Sequence, residues 1–214
     1  MTAEQGGLGG WGRKAADETM QFDLYRFIGE CQDALGADQP LKAMREVVAR
    51  TVSEPASLMS ALGEPRWAQI EKLYCSPELT ILNLVWAPGM SFMPHNHQMW
   101  AIIGIYAGCE DNVFWRRIRD DAGGRVEPAG AKRLVAKEAE PLGRNIIHSV
   151  TNPMTSFTGA LHVYGGDFFA AARSEWDPAT KLERPYSVEN TLRQFEDANA
   201  SFVAAAALAG KEFK

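Results

Sequence analysis

The chain has 214 residues, 46% of them hydrophobic and 23% charged, enough for one sizeable core. Its formal net charge of -5 gives no electrostatic case for binding nucleic acid or an anionic membrane surface. Three cysteines, Cys31, Cys75 and Cys109, are odd in number and lack CxxC spacing, which argues against a disulfide scaffold or a thiolate zinc site.

Residues 1–16 are Gly-rich at their start and read as a flexible arm without the apolar segment of a signal peptide. No run of 18 apolar residues occurs, so no membrane span is expected and a reducing cytoplasm is the default location. A helical lobe is expected over 17–64. From about Asp17 the pattern turns helical, and Leu24, Phe27, Ile28, Cys31 and Leu35 follow i, i+3, i+4 spacing up to a stop at Gly36. Asp38 is a candidate cap for a second helix carrying Met44, Val47, Val48 and Val52. Ser53-Glu54-Pro55 opens a short third helix that Gly63 ends.

After Pro65 the character changes, and a β-barrel core is expected over 65–176. Short runs rich in β-branched and aromatic residues span 79–86, 100–106, 112–118, 132–135, 146–150 and 157–164. Turn signals such as Ala87-Pro88-Gly89 and Asn152-Pro153 separate them, and many short strands of this kind predict a sandwich or barrel. A basic run, Trp115 to Arg119, reads as a solvated face. A closing helix is expected over 187–209, with Leu192, Phe195 and Phe202 on one side. No linker rich in Pro or Ser divides these parts, so the whole of 1–214 reads as one domain.

Only four histidines occur, at 95, 97, 148 and 162. In a strand, residues i and i+2 share a face, so His95 and His97 would aim their imidazoles at one point. Imidazole is a ligand for iron, zinc, copper and nickel, and the distribution suggests a metal site assembled from several strands.

Gly89, five residues, His95, one residue and His97, followed by Gly108 after an apolar strand, resembles the first motif of the cupin superfamily. Pro141-Leu142-Gly143, His148 and Asn152 resemble the second. The resemblance covers roughly residues 65 to 176. It implies a mainly β fold: a double-stranded β-helix, or jelly-roll barrel, with N-terminal helices and a C-terminal helix around it. It also implies a metal held inside by His95, His97 and His148. The family's usual Glu ligand would fall at Ala101 or Ile102, so the site would be three neutral histidines without a carboxylate. That pattern resembles the cysteine dioxygenase-like thiol dioxygenases within the superfamily.

Ala160-Leu161-His162-Val163-Tyr164 is similar to the Ser-x-His-x-Tyr element of those enzymes, with Ala160 in place of the Ser. His162 and Tyr164 would stand beyond the ligands and orient oxygen or substrate. The Tyr164–Trp176 run looks like the bacterial 3-mercaptopropionate branch, which implies that Gln69 and Arg173 bind substrate, Arg173 taking a carboxylate. No Cys lies near Ala101, so no crosslink to Tyr164 is expected. Trp86, Trp100 and Trp115 read as barrel core or cavity wall, and Met90 and Met93 as packing.

The expectation is an enzyme that uses one Fe(II) per chain to convert a small thiol carboxylate and O2 to a sulfinate. Other divalent metals also suit imidazole. The alternatives are a three-histidine lyase or isomerase, or a metal-binding sensor. The thiol, the native metal and the oligomeric state stay open at this level.

Overall fold

The structure, a computed structural model, describes residues 21–208 and Gly210; the expected arm over 1–16 lies outside them. Three helices come first: α1 (Leu24–Leu35), α2 (Pro40–Val52) and α3 (Pro55–Leu62). Asp23 caps α1, its carboxylate accepting from the Arg26 N–H at 2.7 Å. The helical pattern noted from Asp17 therefore yields a helix only from Leu24 onward among the described residues. Gly36 ends α1 as expected. Asp38 does not cap α2. Gln39 holds that position without a side-chain bond, and Pro40 at the first turn supplies the preset φ instead. Gly63 ends α3 at φ 84°, a left-handed conformation open to glycine.

Eleven strands follow in the described residues: β1 (Gln69–Cys75), β2 (Thr80–Trp86), β3 (Ser91–Asn96), β4 (Ala101–Ala107), β5 (Cys109–Arg117), β6 (Val126–Val135), β7 (Ala139–Leu142), β8 (Ile147–Thr151), β9 (Thr158–Tyr164), β10 (Ser174–Trp176) and β11 (Glu183–Pro185). The chain closes with α4 (Val188–Leu208). One sheet runs β1-β2-β9-β4-β7 and the other β11-β10-β3-β8-β5-β6, every pair antiparallel. Strands distant in sequence lie side by side: β9 sits between β2 and β4, and β8 between β3 and β5. This interleaving is the jelly-roll arrangement of a double-stranded β-helix, the fold class expected from the sequence.

The two faces of the first sheet bury different cores. On β9, Ala160 and Tyr164 join the barrel interior with Leu82, Leu84 and Ile103, while Leu161 and Val163 join Ile81 and Ile102 against the helices. Both faces being covered, β2 and β9 are buried along their whole length, and both read as mostly apolar despite Asn83 and His162. The helical lobe is thus an outer layer on the sheet. Gly104 on β4 makes that contact close: a Cβ there would stand 2.5 Å from Val48 Cγ1 and 2.8 Å from Val52 Cγ1.

The C-terminal helix is tied to the barrel by polar contacts. Asn199 accepts from the Ala68 N–H at 2.8 Å and donates to the Ala68 carbonyl at 2.9 Å. Fully buried Glu175 accepts from the Ser187 N–H, Arg184 and Asn190 at the helix start. Phe195 turns into the core and Phe202 packs on Phe157 at 4.7 Å, but Leu192 is 49% exposed and leaves the expected apolar side. The basic run is a solvated face, as read: Arg116 pairs with Glu127 and Arg117 with Glu183 across the sheet edge.

Candidate metal centre and its chamber

His95 and His148 are directly opposite each other in the β3–β8 pair, which places both side chains on one face. His97 follows one residue beyond the end of β3, where Gln98 bends the chain at φ 58°. His97 Nε2 lies 3.1 Å from His95 Nε2 and 3.3 Å from His148 Nε2. One ligand atom from each of the three lies within 4.8 Å of the others, and all three residues are buried.

The outward nitrogens are fixed. His95 Nδ1 donates to the Met93 carbonyl at 3.0 Å, and His148 Nδ1 donates to Asn112 Oδ1 at 2.8 Å. Those bonds leave bare Nε2 lone pairs on His95 and His148 facing the third ring. Burial lowers the His95 pKa to about 3, only partly opposed by the Met93 carbonyl; Arg173 and His162 lower it further. Burial, with the charges of neighbouring groups, also drives His97 and His148 well below the ordinary range. Three neutral imidazoles converging in a buried space are a donor set that fits a first-row divalent metal.

Next to them is a narrow, largely apolar chamber, lined by His95, His148, His162, Tyr164, Trp86 and Phe92 among others. Residues past the barrel close it: Phe168, Tyr186, Thr191 and Phe195. The sequence reading did not foresee that α4 supplies part of this wall. Tyr164 packs between His97, at 5.0 Å, and Phe168, at 4.4 Å between ring centroids. His162 Nδ1 and the Tyr164 hydroxyl are 3.0 Å apart. Burial raises the Tyr164 pKa well above the usual phenol value, although Arg173 acts against it.

Arg173 is 8% exposed, its guanidinium clamped between the Phe168 and Tyr186 rings at 3.7 Å from each centroid. Both rings line the chamber. Arg173 Nη1 is buried with no hydrogen-bond partner, while another side of the residue lines a surface cleft with Gln98, Ser174 and Glu183. It thus stands between the chamber and the outside.

Gln69 is not part of this site. Residues of a strand alternate between faces, and in β1 it is Ile70 that lines the chamber. Gln69 is exposed on the opposite side, in a cleft with Asn83, Val85 and Tyr106. Facing Tyr164 across the β4–β9 pair is Ala101, which has no sulfur to crosslink. Trp86 lines the chamber, whereas Trp100 and Trp115 pack against outer clusters. Met93 is core, and its sulfur meets Gln194 of α4 at 2.7 Å. Asn152 of the second motif holds backbone: its amide donates to the carbonyls of Trp86, Ala87 and Ser156.

Two inward polar residues escaped the sequence reading, Glu110 and Asn112. Both are buried and two apart on β5. That i, i+2 pair of polar residues inside a strand was the available signal. Starting the strand at 112 left Glu110 outside it.

No family model matches the chain. Among solved structures it is similar to an RmlC-like cupin family protein with a double-stranded β-helix fold from Methanocaldococcus jannaschii, at 15% identity over 48% of this chain and 83% of that one, with a TM-score of 0.38. It is also similar to an uncharacterized conserved protein with a double-stranded β-helix domain from Klebsiella pneumoniae, at 10% identity over 52% of this chain and 81% of that one, TM-score 0.39. A mutant of Bacillus subtilis oxalate decarboxylase matches at 17% identity over 44% of this chain, TM-score 0.35; the match spans 23% of that protein. Each likeness covers about half of this chain, and none of them bears on its chemistry.

Proposed function

We propose that this protein is a non-haem iron thiol dioxygenase that adds both atoms of O2 to the sulfur of a small thiol carboxylate, giving a sulfinate. The observation that carries the proposal is the donor set: three buried imidazoles with converging Nε2 atoms and, among the described residues, no carboxylate grouped with them. Such a set leaves a divalent ion its full formal charge and favours an anionic ligand such as a thiolate. His95, His97 and His148 would hold Fe(II), which would supply the redox chemistry that thiol oxygenation needs.

The remaining residues bind and orient. The chamber is narrow and lined by aromatic and aliphatic side chains beside the histidines, which suits a short substrate. Arg173 offers an unpartnered, buried guanidinium nitrogen to a carboxylate, and the two rings that clamp it fix its plane. Tyr164 and His162 place a hydroxyl and an imidazole on the chamber wall. The preference for 3-mercaptopropionate over cysteine rests on Arg173 as carboxylate partner and on the lack of an accessible anion for an amino group. The described residues lining the chamber include no carboxylate that could meet an amino group; Glu110 stands behind His162, and Gln69, exposed outside the chamber, gives this preference no support.

The test is anaerobic. Protein loaded with iron is titrated with 3-mercaptopropionate, cysteine and 2-mercaptoethanol while its electronic and EPR spectra are followed. The proposal requires that a thiol perturb the iron spectrum before O2 is admitted. If no thiol perturbs it, a Lewis-acid lyase or isomerase using the same three histidines becomes the better reading.

A further inference from the structure

Glu110 is a fully buried carboxylate on β5 whose surroundings are not those of a structural ion pair. Its Oε1 accepts from Trp86 Nε1 at 2.6 Å. The same oxygen lies 3.6 Å from His162 Nε2. Glu110 Oε2 and His162 Nε2 are both buried without a hydrogen-bond partner. On its far side, His162 Nδ1 meets the Tyr164 hydroxyl at 3.0 Å. The three side chains form a line from the barrel interior to the chamber wall, ending at the ring that packs on His97.

We infer that Glu110 is a positioning residue that holds the His162 proton on Nε2 and so sets the direction of the Tyr164 hydroxyl. A proton on Nδ1 alone would leave a bare Nε2 lone pair facing a carboxylate, two acceptors opposed in a dry interior. A proton on Nε2 turns that opposition into attraction and leaves Nδ1 bare. The Tyr164 hydroxyl then donates to Nδ1, and its oxygen lone pairs face the chamber as an acceptor. Trp86 anchors the carboxylate, so the direction is imposed from the protein side. Ala160 precedes His162 by two residues and carries no polar atom, so it offers no competing partner. The same logic, an acid fixing the tautomer of a histidine that in turn orients a hydroxyl, operates in hydrolytic triads. Its importance for catalysis rests on the thiol-oxygenation reading; the tautomer itself does not.

The experiment uses metal-free, full-length protein labelled with 15N-histidine. Long-range 1H–15N correlations report which ring nitrogen carries the proton, and His162→Asn identifies the signals. The wild-type ring must appear as the Nε2–H tautomer, in more than tenfold excess. Glu110→Gln keeps the shape and an acceptor for Trp86 but removes the charge and presents an N–H group, and the Nδ1–H tautomer should become the major form. A wild-type ring protonated on Nδ1, alone or as imidazolium, overturns the inference. So does a folded Glu110→Gln protein with the wild-type tautomer. If that variant does not fold, the wild-type spectrum decides alone. Because neither iron nor thiol enters the measurement, its failure leaves the proposed activity standing, and failure of the thiol titration leaves the tautomer standing.

Discussion

Replacing Arg173 probes the substrate side of the proposal more sharply than any other substitution. The guanidinium is packed between two rings at 3.7 Å, buried, and has one nitrogen without a partner. Desolvation lowers its pKa, with Tyr186, Tyr164 and Glu175 acting in the opposite direction, so the charge is held in place by neighbours that only partly offset its burial. A carboxylate reaching Nη1 makes a charge-assisted bond worth about 1.5–3 kcal/mol, roughly ten- to a hundredfold in substrate capture. Arg173→Ala should lower kcat/KM for 3-mercaptopropionate by that factor and barely change it for 2-mercaptoethanol, which has no carboxylate. Arg173→Lys should recover only part of the loss, because an ammonium retains the charge but not the stacked plane. Oxygen-electrode rates on both thiols decide the matter. Equal losses on the two substrates would mean that Arg173 merely props Phe168 and Tyr186, and no loss on either would refute its contact with substrate.

Three further expectations follow from contacts described above. Asn112→Ala removes the acceptor of the His148 Nδ1–H and should weaken metal affinity about ten- to a hundredfold, measured by competition with a chelator; unchanged affinity would mean the ring needs no such support. Gly104→Ala drives a Cβ against Val48 and Val52 and should cost about 1–3 kcal/mol in urea unfolding while leaving metal stoichiometry intact. The metal-free protein should lose stability in acid. His95 has its folded pKa lowered from 6.5 to about 3, and His97 and His148 shift the same way, so below about pH 6.5 the unfolded chain binds more protons. Stability is then highest above that pH and falls with acidification, by roughly a tenfold change in the folding equilibrium per pH unit for each histidine. A flat urea midpoint between pH 7 and pH 5.5 would contradict this.

The barrel was legible because alternation, turn residues and histidine spacing agree with one another along 65–176. The strands buried on both faces, β2, β4 and β9, announced themselves as mostly apolar runs, β2 and β9 broken by Asn83 and His162. What the sequence hid was exposed or short: β1 carries Glu71 and Lys72, β6 is mostly exposed, and β10 and β11 have three residues each. The three-histidine cluster was legible because the two motifs place His95 and His148 on strands that pair, and the register sets them opposite each other. Gln69 was misplaced because counting back from His95 locates a strand but not its phase, and a shift of one residue reverses the face. Glu110 and the aromatic wall from 168–195 were missed for a different reason. Their roles arise from segments far apart in the chain, β5 against β9 and α4 across the barrel end; the local polar pair at 110 and 112 marks an inward face but not the partner it meets.

The measurement that bears most directly on the proposed activity is the stoichiometry of the aerobic reaction. Iron-loaded protein is mixed with 3-mercaptopropionate, and O2 consumed and sulfinate formed are counted together, with His95→Ala, His97→Ala and His148→Ala proteins as controls. One O2 per sulfinate is predicted, with turnover and most bound iron lost in each histidine variant. Turnover without sulfinate, or stoichiometric iron and full activity retained in two of the three variants, would contradict the account.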